Sequence, residues 1–461
     1  MNETIQMLGF FVGCVAGLAT LFWVIKKTCR DYFWLVLAII FALPFERIPS
    51  LPIAGFTLKV NHILGLLLIL FYAIRLLKKR EKFKINYLTI PLLGLLFFIS
   101  LSLFQTIRPF MSLVTFFQIG FTFLLFQIIT SQIDSIQKFV KIVHIIKISA
   151  FIVILFTGWQ FVGDMLNLPI WLTGLRDLYT QKVFGFPRVH AFSLEPLYLG
   201  NYLFLPLSIF VAEIFQGKKN WINLVGFVLT SMVIFMTLSR GAILAYLVFV
   251  LLLFFFYPKK TLTVKNLTLF SSILSTAIIL VVIILSVLGA DKRASFYNQL
   301  TLKDYQITES VMGRLNTYEV AWQAFKEKPL TGIGVFNYGP YATGYDLENP
   351  FVQQIVNNEY LEILAEIGMF GLILFVGIIL LIIYAGFRGV KLAKESEIGS
   401  YLAILTIGFV AVLVQYNFFS TLAIIGIWVY AGILVALYGI IADDNSKLRI
   451  KNSESHLKIK N

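Results

Sequence analysis

Long apolar runs constrain this chain more than any other feature. They lie near 5–25, 32–46, 60–77, 86–106, 109–130, 143–163, 198–215, 221–238, 240–257, 267–289, 363–385, 399–418 and 421–441. A bilayer's hydrocarbon core takes about 20 apolar residues of helix to cross. Lipid offers no hydrogen bonds, so each run has to satisfy its own backbone, which a helix does. Composition agrees: 59% of residues are hydrophobic and 13% charged, against about 45–50% and about 25% in soluble domains. The expected fold class is an all-α polytopic membrane protein with about 12–13 transmembrane helices, the short second run being the least regular. A cytosolic enzyme, a disordered chain and a disulfide scaffold are excluded. The first run follows no basic residue and precedes no small-residue cleavage site, so it is expected to be a membrane segment and not a signal peptide.

The formal charge of +14 would suggest a polyanionic partner in a soluble protein. Its distribution gives another reading. With the N-terminus placed outside, 25 of the 38 Lys and Arg fall in alternate segments: Lys26–Arg30, Arg75–Lys84, Lys138–Lys147, Lys218–Lys219, Lys259–Lys265, Arg388–Lys394 and the tail from Lys447. The short connections on the other side carry only Arg47, Lys59, Arg108 and Arg240. By the positive-inside rule the basic side is cytoplasmic. The excess charge thus orients the chain, with its C-terminus inside, and no nucleic-acid partner is expected.

Two outer segments are too long to be plain connections, about 164–197 and about 290–362. The expected organisation is a transmembrane bundle over 1–163, a transmembrane core with the first long loop over 164–289, a large loop over 290–362, further helices over 363–441 and a cytoplasmic tail over 442–461. Within the large loop, Leu315, Tyr318, Trp322 and Phe325 fall on one helical stripe, and Asn316, Glu319, Gln323 and Lys326 off it. Pro329 and Thr331-Gly332-Ile333-Gly334 predict a helix end and a turn. Such an aromatic-bearing helix beside a membrane is expected to lie on the outer interface; the alternative is a core helix of a small outer domain.

Candidate chemistry sits on this outer side. Arg240, in Thr237-Leu-Ser-Arg-Gly-Ala242 between two apolar runs, is an isolated cation at the interface. It suits an anion site or snorkels to headgroups. Arg188 precedes the run at 198, and Arg314 stands at the predicted start of the loop helix, where free N–H groups favour an anion. Guanidinium groups match phosphate bidentately, so the three arginines point to a phosphate-bearing substrate at the membrane surface. Glu195 and Glu359 are the candidate bases toward a sugar hydroxyl; an Arg188–Glu195 ion pair and a helix-end acid are the structural alternatives. Asn357 is expected to cap the helix beginning nearby. The two cysteines and four histidines form no metal-ligand spacing, and no nucleotide-binding loop occurs. No metal and no cofactor are expected.

Four stretches occur in order: RVHAFSLEPLYLGNYL from Arg188, TLSRGAILAYL from Thr237, GRLNTYEVAWQAFKEKPLTGIGVFNY from Gly313 and NNEYLEILAEIGMFGLILF from Asn357. With them the chain resembles the O-antigen ligase and O-antigen/capsular polysaccharide polymerase superfamily of bacterial membrane glycosyltransferases. The resemblance implies a GT-C-like enzyme with an undecaprenyl-pyrophosphate-linked glycan as donor, acting in the bilayer at the outer face of the cytoplasmic membrane. It implies that Arg188, Arg240 and Arg314 bind the pyrophosphate, and that a flippase and a chain-length regulator are possible partners. One departure stands out. Ligases of this family typically carry a histidine, thought to activate the acceptor, where this chain has Asn357, and an amide cannot accept that proton near neutral pH. His190 is the outer histidine that folding would have to bring near. The departure favours a polymerase of repeat units in capsule, exopolysaccharide or O-antigen synthesis over a ligase, with Glu195 and then Glu359 as base. Asn357, Asn358 and Tyr360 are expected to orient sugar hydroxyls. A flippase or exporter of lipid-linked glycan is the reading from another class.

Overall fold

The computed structural model describes residues 31–47, 50–53, 56–79, 82–176, 186–217, 220–258, 305–348, 354–394 and 396–459. The runs near 5–25 and 267–289 and both cysteines lie outside the described residues. The described chain runs α1 (Phe33–Phe41), β1 (Ser50–Ile53), β2 (Phe56–Lys59), α2 (Val60–Leu77), α3 (Thr89–Ser102), α4 (Pro109–Gln132) and α5 (Ile136–Met165). It continues through α6 (Pro196–Phe215), α7 (Trp221–Met236), α8 (Arg240–Phe256), α9 (Tyr305–Glu327), α10 (Glu359–Ala393), α11 (Glu397–Gln415) and α12 (Ile425–Ile459). Seven of these, α2, α4, α5, α6, α10, α11 and the Ile425–Ser446 part of α12, are long and apolar enough to cross a membrane. The shorter α3, α7 and α8 are apolar as well. The protein is an all-α polytopic membrane protein, and β1 and β2 form one antiparallel hairpin with Ser50 opposite Lys59.

The run at 32–46 departs from a plain span. Its helix has nine residues, about 14 Å at 1.5 Å per residue, and Ala42 and Leu43 continue it as buried turns toward Pro44. The segment still joins both ends of the bundle. Arg75 stacks on Tyr32 and Lys138 on Phe33, while the Arg47 N–H donates to the Phe192 carbonyl at 3.0 Å. Irregular backbone is tolerated at that depth because protein, not lipid, surrounds it.

Helices α6 and α11 form the centre, packed on each other and flanked by α8, α7, α10 and α12. Small residues set these contacts, as expected where lipid supplies no hydrophobic drive. Gly200 abuts Ala242, and Gly408 fits against Ser208 and the Tyr430 hydroxyl. One charged cluster is buried between helices. Lys147 pairs with Glu213, donates to Asn223 Oδ1 at 2.8 Å, and Tyr401 donates to Glu213 Oε1 at 2.7 Å. Mutual satisfaction is what lets ionised groups remain inside.

The starts of α6, α8 and α10, the end of α11 and the start of α12 share one end of the bundle. Lys147, Lys391 and Lys394 mark the opposite end.

The loop helix differs from its expected form. It begins at Tyr305, well before Gly313. Its buried face is Thr317, Ala321 and Ala324, with Tyr318 and Val320 beside them, packed with Ile333, Tyr338, Val356 and Ala365. Leu315 and Trp322 of the predicted stripe are 53% and 45% exposed. Alanine permits the close approach of α9 to the first turns of α10, and the large rings are left on the outer surface.

Candidate functional site

The nine residues between α11 and α12, Tyr416–Ile424, gather the four motif-bearing segments. The Tyr416 carbonyl accepts the Glu359 N–H at 2.8 Å, and Ser420 Oγ accepts the Asn358 N–H at 2.9 Å. The Asn417 carbonyl accepts the Tyr318 hydroxyl at 3.0 Å, which ties α9 to the loop. Phe418 lies against Gly241, the second residue of α8, so closely that a Cβ there would clash. Thr421 Oγ1 bonds the Tyr198 hydroxyl at 3.3 Å at the start of α6. The apolar runs 399–418 and 421–441 part inside this loop, but Phe418, Phe419, Leu422 and Ala423 keep it hydrophobic and hide its length. The signal was Asn417, Ser420 and Thr421, three polar residues within five positions.

Arg240 is the first residue of α8 and exposed. A cation at a helix N-terminus meets the positive end of the dipole, an arrangement that an incoming anion relieves. Arg314 does not begin its helix as expected. It lies two and a half turns inside α9, where no free N–H groups remain, so only its guanidinium can act. It sits one turn from Thr317 and Tyr318, and thus near the same loop. Neither arginine forms an ion pair among the described residues. Arg188 belongs to a segment held on α5, where Gln160 Oε1 accepts the N–H groups of His190 and Ala191 at 3.3 and 2.8 Å.

Glu195 is the N-cap residue of α6, exposed, and its side chain makes no capping bond. Glu359 is 2% exposed at the first position of α10, and its Oε2 has no hydrogen-bond partner among the described residues. Both, with Glu46, lie within electrostatic reach of the Tyr198 hydroxyl. Glu46 was missed in the sequence because it sits in a short connection; it lies beside Glu195 and accepts the Leu194 N–H at 3.4 Å.

The cap of α10 is Asn358, not Asn357: Asn358 Oδ1 accepts the Leu361 N–H at 3.1 Å. Asn357 stands one residue earlier at φ 58°, a left-handed conformation that Asn tolerates better than most residues. The Tyr360 hydroxyl donates to the Leu413 carbonyl at 3.1 Å. Structural bonds therefore occupy Asn358 Oδ1 and the Tyr360 hydroxyl.

His190 does not reach the loop. It is fully buried, its Nε2 accepts the Arg176 N–H at 3.3 Å, and Nδ1 faces the Ser193 carbonyl at 3.1 Å. The first contact needs an unprotonated nitrogen and the second a proton, which is the neutral ring. Burial, and then the neighbouring Arg47 charge, push its pKa down to about 4. His190→Ala is expected to lower stability by about 1–3 kcal/mol through the unmet partners and to leave the pH profile of activity unchanged. Thermal unfolding with a pH–rate series checks both.

Two further segments complete the site's frame. Ile333 and Gly334 donate to the Ala365 and Glu366 carbonyls at 2.9 and 3.0 Å, and Met369 donates to the Pro329 carbonyl at 2.9 Å. The Glu366 carboxylate accepts the Phe336 and Tyr338 N–H groups, each at 2.9 Å. At Gly368 (φ 82°, ψ −174°) α10 kinks, which admits the Pro329–Gly334 segment against it. Pro329–Gly334 and Glu366–Gly368 are thus two halves of one backbone clamp.

Residues 225–376 match the O-antigen ligase family model. The match supports placement in the O-antigen ligase and polymerase superfamily. It spans α8, the described part of the large loop and the kinked start of α10, and it ends before the loop at 416–424. Members of this family are glycosyltransferase-like membrane enzymes. No curated protein matches the chain.

Proposed function

We propose that this protein is a polysaccharide polymerase, joining undecaprenyl-pyrophosphate-linked oligosaccharide repeat units at the outer face of the cytoplasmic membrane. One observation carries the reading: four separate segments, two bearing Arg240 and Arg314, meet on the 416–424 loop, at the bundle end opposite Lys391 and Lys394. By the positive-inside rule that end is extracytoplasmic, the side on which a flipped lipid-linked glycan is presented. Trp322 and Leu315 on the exposed face of α9 suit the lipid interface there.

In this mechanism Arg240 and Arg314, with Arg188 at the edge, hold the donor pyrophosphate and offset the negative charge that grows on it as the glycosidic bond breaks. A carboxylate near Tyr198 removes the proton of the attacking hydroxyl; Glu195 and Glu359 are the sequence candidates. Asn357 in place of a histidine supports polymerisation over ligation, since among the described residues no imidazole reaches the loop to activate a foreign acceptor. A flippase and a chain-length regulator are the expected partners. The test is the glycan made by cells lacking the protein. Material one repeat unit long is expected. Full-length chains left on the lipid would instead identify a ligase, and lipid-linked units trapped on the inner leaflet a flippase.

A further inference from the structure

A narrow crevice opens between the segment after α1 and helices α6, α11 and α12. Glu46, Ser193, Tyr198, Asn201 and Tyr202 supply its polar wall, and apolar side chains of α11 and α12 its floor. Its free volume of about 30 Å³ suits a water molecule or a single hydroxyl, not a sugar ring. Asn201 is 7% exposed, and among the described residues neither its Oδ1 nor its Nδ2 has a hydrogen-bond partner. A buried amide left unmet is destabilising by about 1–3 kcal/mol. Its presence on a crevice wall points to a ligand group that both donates and accepts, as a hydroxyl does.

Three carboxylates surround Tyr198, and they differ in access. Glu359 is enclosed at the start of α10, and Glu195 stands exposed at the start of α6. Of the three, only Glu46 lines the crevice. We infer that Glu46 takes the proton from the attacking acceptor hydroxyl, which Asn201 and Tyr198 hold at the mouth of this crevice. The inference rests on the glycosyl-transfer reading and deepens it. The acceptor O–H bond breaks as the proton passes to the Glu46 carboxylate. The oxygen's electron pair forms the bond to the donor's anomeric carbon. The bond from that carbon to the pyrophosphate oxygen breaks, its pair leaving with the phosphate. Glu46 then returns the proton to water.

The surroundings suit a base. Burial raises the Glu46 pKa above the ordinary carboxylate value, Lys59 and the Leu194 N–H draw it down, and the Glu195 charge raises it again. The net shift is upward, toward working pH, where a general base is most effective. The other titratable groups on the crevice wall are the hydroxyls of Tyr198, Tyr202 and Tyr430, the last of which donates to the Leu405 carbonyl at 2.8 Å, and Arg47 follows Glu46 in the chain.

The test uses the full chain in lipid nanodiscs with a synthetic undecaprenyl-pyrophosphate-linked repeat unit as donor and acceptor. Glu46→Gln is expected to lower kcat at least about 10²-fold, leave donor binding intact and abolish the acidic limb of the pH–rate profile; Glu46→Asp restores part of the rate. Asn201→Ala removes the unmet amide, so it is not expected to weaken the fold, and is expected to raise the acceptor KM about tenfold while donor binding holds. Wild-type kcat and pH profile in Glu46→Gln, or an unchanged acceptor KM in Asn201→Ala, overturns the inference and leaves the polymerase reading standing. If Glu46→Gln fails to accumulate, Asn201→Ala decides alone. A wild-type protein that forms no glycosidic bond overturns the reading itself, and the inference with it.

Discussion

Arg240→Ala and Arg314→Ala are each expected to lower glycan transfer about 10³-fold while yield and thermal stability stay at the wild-type level. The magnitude follows from the loss of one preorganised donor to a developing anion, about 10²–10³ in kcat, at the upper end because a pyrophosphate carries more charge than a single oxyanion. The selectivity for activity follows from the surroundings. Arg240 is exposed, neither guanidinium is in an ion pair among the described residues, and no packing depends on either charge. Removing Arg240 from the N-terminus of α8 also removes an unfavourable dipole contact, so no loss of stability is expected. Lysine in either place is expected to recover only part of the rate, since an ammonium lacks the planar fork that grips phosphate. Steady-state kinetics on purified variants, with circular dichroism melting in parallel, separates the two effects. The double variant is expected to fall less than the product of the two single losses, because both side chains serve one leaving group.

Gly332→Ala is expected to abolish accumulation of the folded protein. Gly332 has φ 68°, a conformation that any side chain strains, and a Cβ there would overlap the backbone of Glu366 and Ile367. Nothing flexible is available to move, because both neighbours are backbone of α10, where the Ile333 and Gly334 N–H groups bond the Ala365 and Glu366 carbonyls. The expected destabilisation is more than about 3 kcal/mol, combining left-handed strain with the lost clamp bonds. Gly313→Ala, which meets no atom within 4 Å, is the matched control and is expected to behave as wild type. Membrane abundance and protease resistance of the two variants provide the comparison.

These two effects illustrate what the sequence discloses and what it hides. The spans are legible because a bilayer demands long apolar helices, and α2, α4, α6 and α11 begin or end within a few residues of the runs that announce them. The clamp is legible as a spacing of Pro329, Gly332, Gly334, Glu366 and Gly368, though its cause, two backbones in contact, emerges only with coordinates. The start of α9 was misplaced because Gly313 looks like a boundary, whereas the helix runs through it from Tyr305. The stripe expected at the interface leaves Leu315 and Trp322 exposed, whereas the face packed on the protein consists of small residues such as Ala321 and Ala324, which hydrophobic periodicity does not single out. The break between α11 and α12 is legible as the gap between the runs at 418 and 421, but the loop's length and its gathering contacts are not, because its residues are nearly as apolar as the helices it joins. Glu46 escaped because proximity in the fold, not in the chain, sets it beside Glu195 and Tyr198.

The central claim is that this end of the bundle makes glycosidic bonds between lipid-linked repeat units. It is tested most directly by giving the purified protein a synthetic undecaprenyl-pyrophosphate repeat unit as sole substrate and resolving the products by size. A ladder of glycans two, three and more units long, dependent on Arg240 and Arg314, is expected. A single transfer to an added acceptor with no ladder, or unchanged substrate from a protein that is folded and lipid-embedded, would contradict it.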